Sequence, residues 1–194
     1  MTLFSQILPI RLWPPRMALS LVVALPLLFS GLPDAPSAAH AEEKIILKIG
    51  APAPDIAFTS LDGGDYKLSQ FRGRPVMLWF FASWCRTCIG STKLVSELFA
   101  DLTAGGMRII QLRLYNNLGY AGPTARQFAK SFAGAPANSP NWLWGEASLE
   151  ASVTYDPRGY PDIYFLIDRD GILRAANGAP NVSMDDILDF AGKS

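Results

Sequence analysis

The chain has 194 residues and a balanced charge, with 17 basic and 17 acidic residues and a formal net charge of zero at pH 7. This balance gives no reason to expect nucleic acid or an anionic membrane surface as a partner. The single histidine, His40, lies near the N-terminus. The rest of the chain therefore lacks the imidazole that histidine acid–base chemistry and most zinc or copper sites use.

The first 41 residues have the pattern of a signal peptide. Two arginines precede an apolar stretch at residues 17–29, which is too short to span a bilayer comfortably, and Ala-His-Ala at residues 39–41 resembles a cleavage site. We predict export, to the periplasm or a comparable compartment, with residues 1–41 removed and residues 42–194 folding as one domain. An uncleaved membrane anchor is the alternative.

A β-hairpin is predicted near the start of this domain. Residues 56–59 and 66–68 read as two short strands, and they flank Asp-Gly-Gly-Asp at residues 62–65. The glycines permit the positive φ angles that a tight hairpin turn needs.

An apolar run with no polar alternation then predicts a central strand over residues 76–82, buried on both faces. A helix from residue 84 to about residue 102 follows, and residues 107–114 read as the next strand, which makes a parallel strand–helix–strand unit. The chain's two cysteines, Cys85 and Cys88, lie where this first strand gives way to the helix. Two cysteines are too few for a stabilising framework, so chemistry is the better reason for them.

The second half continues with a helix over residues 123–132, a strand over residues 163–167 and a last helix capped by Ser183. Trp142 and Trp144 are predicted to lie on a short edge strand. Aromatic residues at this spacing predict packing on a strand, and an exposed platform for a partner protein is the alternative.

The sequence Cys85-Arg86-Thr87-Cys88 predicts a redox site. The first thiol lies in the field of a helix N-terminus, which favours its thiolate, and the second lies one turn on, where it can attack a mixed disulfide. The Arg86 guanidinium would favour the thiolate further if it folds back. A structural or inert cysteine pair is one alternative. Metal binding is another, but it would need two copies of the chain, because a zinc knuckle takes four ligands.

Three stretches, at residues 49–58, 68–85 and 159–171, resemble in order the motifs of the exported thioredoxin-like family that includes TlpA, ResA and the cytochrome c maturation thioredoxins. The resemblance implies a thioredoxin fold. This is an α/β domain whose central mixed sheet has helices on both faces, with an added N-terminal β-hairpin.

The resemblance also implies site residues beyond the cysteines. Pro161 takes the place of the family's cis-proline, which faces the cysteine pair, and an ordinary turn proline is the alternative. Tyr160 would border the substrate groove, and Trp84, Arg86 and Thr87 would support the active site. Asp162 is the best candidate to exchange a proton with Cys88, with a solvated turn aspartate as the alternative.

The chain departs from the family at two acidic positions. Trp79 stands where many thioredoxins bury an acid, and Ser91 stands where ResA-like proteins often carry a glutamate. The dipeptide between the cysteines, Arg-Thr, is also unusual. These departures leave the partner and the redox potential open.

The function implied is thiol–disulfide oxidoreduction on exported proteins, in the reducing direction, for example in cytochrome c maturation. We expect a monomer with no metal and no cofactor other than the redox-active Cys85–Cys88 disulfide, and with a membrane thiol–disulfide carrier as electron partner. A periplasmic disulfide oxidant resembling DsbA is the alternative enzyme. A non-catalytic metallochaperone or assembly factor is the alternative from another class.

Overall fold

The computed structural model describes residues 47–193, so the predicted signal peptide and its cleavage site lie outside the described residues. The strands of this part of the chain are β1 (Ala57–Ser60), β2 (Asp65–Lys67), β3 (Val76–Phe81), β4 (Arg108–Arg113), β5 (Trp142–Ala147), β6 (Asp162–Ile167) and β7 (Leu173–Gly178). They form one sheet in the order β2-β1-β5-β4-β3-β6-β7. The central β3, β4 and β5 are parallel and the outer pairings are antiparallel, so the predicted mixed sheet with an N-terminal hairpin is confirmed.

The helices of the described residues are α1 (Arg86–Glu97), α2 (Phe99–Ala104), α3 (Ala125–Phe132), α4 (Leu149–Tyr155) and α5 (Met184–Lys193). The single helix predicted from residue 84 to about residue 102 is divided at Leu98, which leaves helical geometry with φ −95° and ψ 11°. The break lets α2 turn and pack against α5. None of the helices within residues 47–193 reaches the length and apolarity that crossing a bilayer demands.

Strand β3 is buried along its whole length, as its unbroken apolar sequence predicts. Its side chains alternate between two cores because successive residues of a strand point to opposite faces. These side chains are Met77, Trp79 and Phe81 on the face covered by α1, α2, α3 and α5, and Val76, Leu78 and Phe80 on the face covered by α4. Both faces of the sheet are therefore covered by helices, and β3 ends inside the molecule, directly before the cysteines.

The edge-strand prediction for Trp142 and Trp144 is wrong. Strand β5 lies inside the sheet, between β1 and β4, because the N-terminal hairpin pairs with its outer side. Both indoles are buried, and their rings stack with centroids 5.1 Å apart. The prediction that they pack within the fold is confirmed, and a platform for a partner protein is excluded.

Gly145 allows β1 to approach β5. A Cβ atom at Gly145 would lie 2.5 Å from the Thr59 carbonyl oxygen, whereas a Cβ at Gly90, on α1, would meet nothing within 4 Å. We expect Gly145→Ala to lower the free energy of unfolding by about 1–3 kcal/mol, because the hairpin must move away. Gly90→Ala is the matched control and should raise it by roughly 0.5–1 kcal/mol. Urea unfolding measures both, and equal effects of the two substitutions would contradict this packing.

Candidate active site

Cys85 occupies the N-cap of α1. Strand β3 ends at Phe81 and α1 begins at Arg86, so the sulfur lies where the chain passes from sheet to helix. Cys85 has extended backbone angles, φ −78° and ψ 123°, and its Sγ accepts a hydrogen bond from the Cys88 backbone N–H at 3.4 Å. Both cysteines are free thiols, with Cys85 5% exposed and Cys88 fully buried. The predicted order of an outer and an inner sulfur therefore matches the geometry.

The surroundings of Cys85 favour its thiolate. They lower its pKa to about 5. The largest effect is a hydrogen bond from the Cys88 side chain; burial opposes it, and a hydrogen bond from the Thr87 hydroxyl lowers the pKa further. The Thr87 Oγ1 lies 3.0 Å from the Cys85 Sγ. Arg86, by contrast, is exposed, and the groups that act on this sulfur are Cys88 and Thr87. Cys85 is thus ionised at neutral pH without help from the arginine.

Cys88 is held in the opposite protonation state. Burial raises its pKa, and the hydrogen bond to Cys85 and the negative charges of Asp162 and Cys85 raise it further. Its Sγ also lies 2.7 Å from the Pro161 carbonyl oxygen, which accepts from the thiol. One S–H therefore faces two acceptors, and Cys88 stays a thiol until a base removes its proton.

Asp162 is buried at the start of β6, opposite Phe81 of β3, rather than in a solvated turn. Its Oδ1 accepts from the Trp79 indole N–H at 2.8 Å, and its Oδ2 faces the Ser91 hydroxyl at 3.4 Å. Burial raises the pKa of Asp162 to about 6, against the hydrogen bonds that favour the carboxylate. A carboxyl that titrates near neutrality can both take and return a proton.

Asp162 and the two sulfurs form one compact group. One carboxylate oxygen and the Sγ atoms of Cys85 and Cys88 all lie within 4.8 Å of one another. A tetrahedral zinc site would need a fourth ligand, and the sequence of residues 47–193 contains no histidine to supply it. The absence of a metal stays a prediction.

Two residues of this site were not assigned a role from the sequence. Trp79 and Ser91 hold the two oxygens of Asp162, and the Ser91 hydroxyl also contacts Asn181, an exposed residue, at 2.9 Å. Both are the positions at which the chain departs from the acidic residues of its relatives. This departure was the sequence feature that could have pointed to the two residues, because the buried carboxyl of Asp162 needs hydrogen-bond donors on neighbouring elements.

Of the remaining predicted residues, Pro161 contacts a sulfur, and Tyr160 and Trp84 are its neighbour and that of Cys85 in the chain. The Pro161 carbonyl accepts from the Ala82 N–H at 2.9 Å as well as facing Cys88, and its cis geometry stays a prediction. Tyr160, next to it, is 49% exposed. Trp84 is 39% exposed, and its ring centroid lies 5.0 Å from that of Tyr120. Exposed aromatic residues therefore directly precede both Cys85 and Pro161 in the chain.

Known proteins resemble this chain in sequence and in fold. Residues 49–129 match the sequence model of the AhpC/TSA family. The thiol-disulfide oxidoreductase ResA of Geobacillus kaustophilus (strain HTA426) is 31% identical over 90 residues, which are 46% of this chain and 49% of that protein. ResA of Bacillus cereus (strain ATCC 10987 / NRS 248) is 35% identical over 71 residues, 37% of this chain and 40% of that protein. The chain thus spans about half the length of the ResA relatives it matches.

Solved structures of other proteins share the fold. A Chlorobium tepidum protein assigned as the thiol:disulfide interchange protein DsbE superposes with a TM-score of 0.59 and 25% identity, covering 75% of this chain and 99% of that one. A thioredoxin-like protein from Aeropyrum pernix has a TM-score of 0.55 and 19% identity, covering 70% of this chain and 88% of that one. The chain thus has a thioredoxin-like α/β fold, and part of it is similar in sequence to the AhpC/TSA family and to ResA proteins.

Proposed function

We propose that this protein is a thiol–disulfide oxidoreductase that reduces disulfides of exported proteins. The observation that carries the proposal is the pairing of an ionised outer sulfur with a protonated inner one, next to a buried carboxyl that titrates near pH 6. The ResA relatives are thiol-disulfide oxidoreductases, and this similarity supports the same reaction class.

The reaction begins with the Cys85 thiolate. It attacks one sulfur of the substrate disulfide, a new bond forms between Cys85 and that sulfur, and the other substrate sulfur leaves as a thiolate that takes a proton from water. Asp162 then accepts the Cys88 proton, and the resulting thiolate attacks the Cys85 sulfur. The Cys85–Cys88 disulfide forms, the bond between Cys85 and the substrate breaks, and the second substrate sulfur leaves as a thiolate that takes a proton from water. Two electrons pass from the dithiol to the substrate, and an external dithiol must restore the reduced protein.

The direction of electron flow depends on which form of the cysteine pair is the more stable. A thiolate pKa of about 5 lies between those of thioredoxin (~7) and DsbA (~3.5), so the reduced form is stabilised more than in thioredoxin. This observation favours the second candidate function, a periplasmic disulfide oxidant. We place the reductant first because the resemblance to ResA and to the cytochrome c maturation thioredoxins favours it.

Redox titration against glutathione distinguishes the two functions. A potential near about −270 mV would support the reductant, and a potential as high as about −120 mV would contradict it. Reduction of insulin disulfides, with Cys85→Ser as the inactive control, tests the reaction class itself. A protein that binds copper or zinc but leaves insulin intact would instead be a metallochaperone or assembly factor.

The location and the electron partner follow from the proposal. The signal-peptide pattern of residues 1–41 supports export to the periplasm, where a reductant needs renewal by a membrane thiol–disulfide carrier. In cytochrome c maturation, the substrates would be disulfides of exported cytochromes or of the proteins that assemble them. We expect the protein to act as a monomer on these dithiols and disulfides.

A further inference from the structure

The segment after β4 has a rare backbone conformation. Asn116, Asn117 and Leu118 have φ angles of +47°, +51° and +58°, and Gly119 follows at +82°. Left-handed backbone costs roughly 1–2 kcal/mol per residue, although glycine, asparagine and aspartate tolerate it better. It usually occurs in single residues. Asn116, Asn117 and Gly119 tolerate this conformation, so its cost falls mainly on Leu118, and the segment depends on its contacts to hold four such residues in succession.

Asn117 supplies such contacts, and it does so beside the cysteines. Its side chain is buried, and its Oδ1 accepts from both the backbone N–H of Ser83 at 2.9 Å and the Ser83 hydroxyl at 3.2 Å. Its backbone carbonyl accepts from the Trp84 indole N–H at 3.0 Å, and its Nδ2 donates to the Tyr120 carbonyl at 2.8 Å. One residue thus satisfies three donors from the two residues that directly precede Cys85.

The packing around this contact leaves little freedom. A Cβ at Gly122 would lie 2.6 Å from the Ser83 Oγ and 3.0 Å from the Asn117 Nδ2. On the other side of the same segment, the Ala82 N–H is fixed by the Pro161 carbonyl. The residues between β3 and α1 are therefore held from both sides, and Asn117 provides one of the two attachments.

We propose that Asn117 is a positioning residue that fixes the Ser83–Trp84 segment and thereby orients the Cys85 sulfur at the N-cap of α1. It touches neither sulfur and acts through the backbone. The hydrogen bonds that Cys85 receives from Cys88 and Thr87 require this N-cap geometry, because both donors lie on the first turn of the helix. The inference rests on the proposed function only in taking Cys85 as the nucleophile.

The test compares Asn117→Gly with Asn116→Gly. Glycine relieves the cost of left-handed backbone at both positions, but only Asn117 has the side-chain bonds to Ser83, and Asn116 is exposed. We expect Asn117→Gly to move the midpoint of the pH profile of Cys85 alkylation up by about one unit and to slow alkylation by iodoacetamide about tenfold at pH 4, below both midpoints. Asn116→Gly should stay within about twofold of the parent protein.

The sign of the change separates positioning from general loosening. If Asn117 only stabilised the fold, its loss would expose the cysteines and speed their alkylation. If Asn117 positions Cys85, its loss slows the alkylation. Alkylation of folded Asn117→Gly at the parent rate, or faster, would overturn the proposal. If this variant does not fold, Ser83→Ala removes the hydroxyl donor alone; roughly threefold slower alkylation is then expected, and an unchanged rate would overturn the proposal. Failure of the parent protein to reduce insulin would contradict the proposed function and leave this comparison intact.

Discussion

Replacing Cys88 with alanine should convert the protein from a catalyst into a trap. Cys85 keeps its Thr87 contact and can still attack a disulfide, but the inner sulfur that releases the product is gone. Attack within one helical turn has an effective concentration far above that of any dissolved thiol, about 10⁵ M or more. We therefore expect turnover to fall at least about a thousandfold, while a mixed disulfide accumulates on Cys85. Non-reducing gels and mass spectrometry measure the trapped species.

Cys85→Ala is the matched control for this trap. It removes the reachable sulfur and leaves the fully buried one, so it should form no covalent complex although it is equally inactive. Equal trapping by the two variants would show that the roles of the sulfurs are not divided as we infer. The proteins captured on Cys85 in the exporting cell would also identify the substrates.

Asp162→Asn should have the second largest effect, and it should raise stability while it lowers activity. Without the carboxylate, Cys88 loses the base that the structure places beside it, and loss of a general base costs roughly 10²–10⁴-fold. Release of a preformed mixed disulfide, followed in a single turnover, should slow by this factor. Formation of the mixed disulfide should be little affected, because Cys85 is already ionised.

The gain in stability has a defined pH dependence. Burial raises the pKa of Asp162 to about 6 from an unfolded value of about 3.9. A carboxyl whose pKa is raised in the folded state stabilises the fold at a pH below its unfolded-state pKa. This contribution is lost as the pH rises from about 4 through about 6. Two pKa units correspond to about 3 kcal/mol. Asp162→Asn should therefore exceed the parent protein in stability by up to about this amount at pH 8.

Urea unfolding at pH 4 and pH 8 measures this difference. Asp168→Asn, at the other end of β6, is a control of opposite sign, because Asp168 has a lowered pKa and accepts hydrogen bonds from Ile172 and Arg174. It should lose stability at pH 8 and keep its activity. An Asp162→Asn variant that is less stable than the parent protein at pH 8 would contradict the burial cost.

Local sequence patterns were sufficient for the parts of the fold in which neighbours along the chain decide the structure. The apolar run at residues 76–82 predicts a strand buried on both faces, and β3 is such a strand. Which strands pair with one another depends on segments far apart in the chain, and no local pattern shows it. The sequence predicts an edge position for Trp142, because nothing in its own segment indicates that the distant hairpin pairs with β5. The break at Leu98 depends similarly on the packing of α2 against α5.

The same distinction applies to the site. The spacing of Cys85 and Cys88 predicts an outer and an inner thiol, and resemblance alone pointed to Asp162. The contact between Trp79 and Asp162 joins residues 83 positions apart, so no local pattern contains it. The asparagines and the glycine at residues 116–119 permit the left-handed turn, but they do not show its contact with Ser83, which lies 34 positions from Asn117.

The pH profile of Cys85 alkylation, with peptide mapping to separate the two sulfurs, tests the central claim most directly. The structure predicts that Cys85 in the folded, reduced protein reacts with a midpoint near pH 5, while Cys88 stays unreacted up to pH 8. Equally slow reaction of both sulfurs at neutral pH, with a midpoint near the ordinary thiol value of about 8.5, would contradict the division of roles on which the mechanism depends.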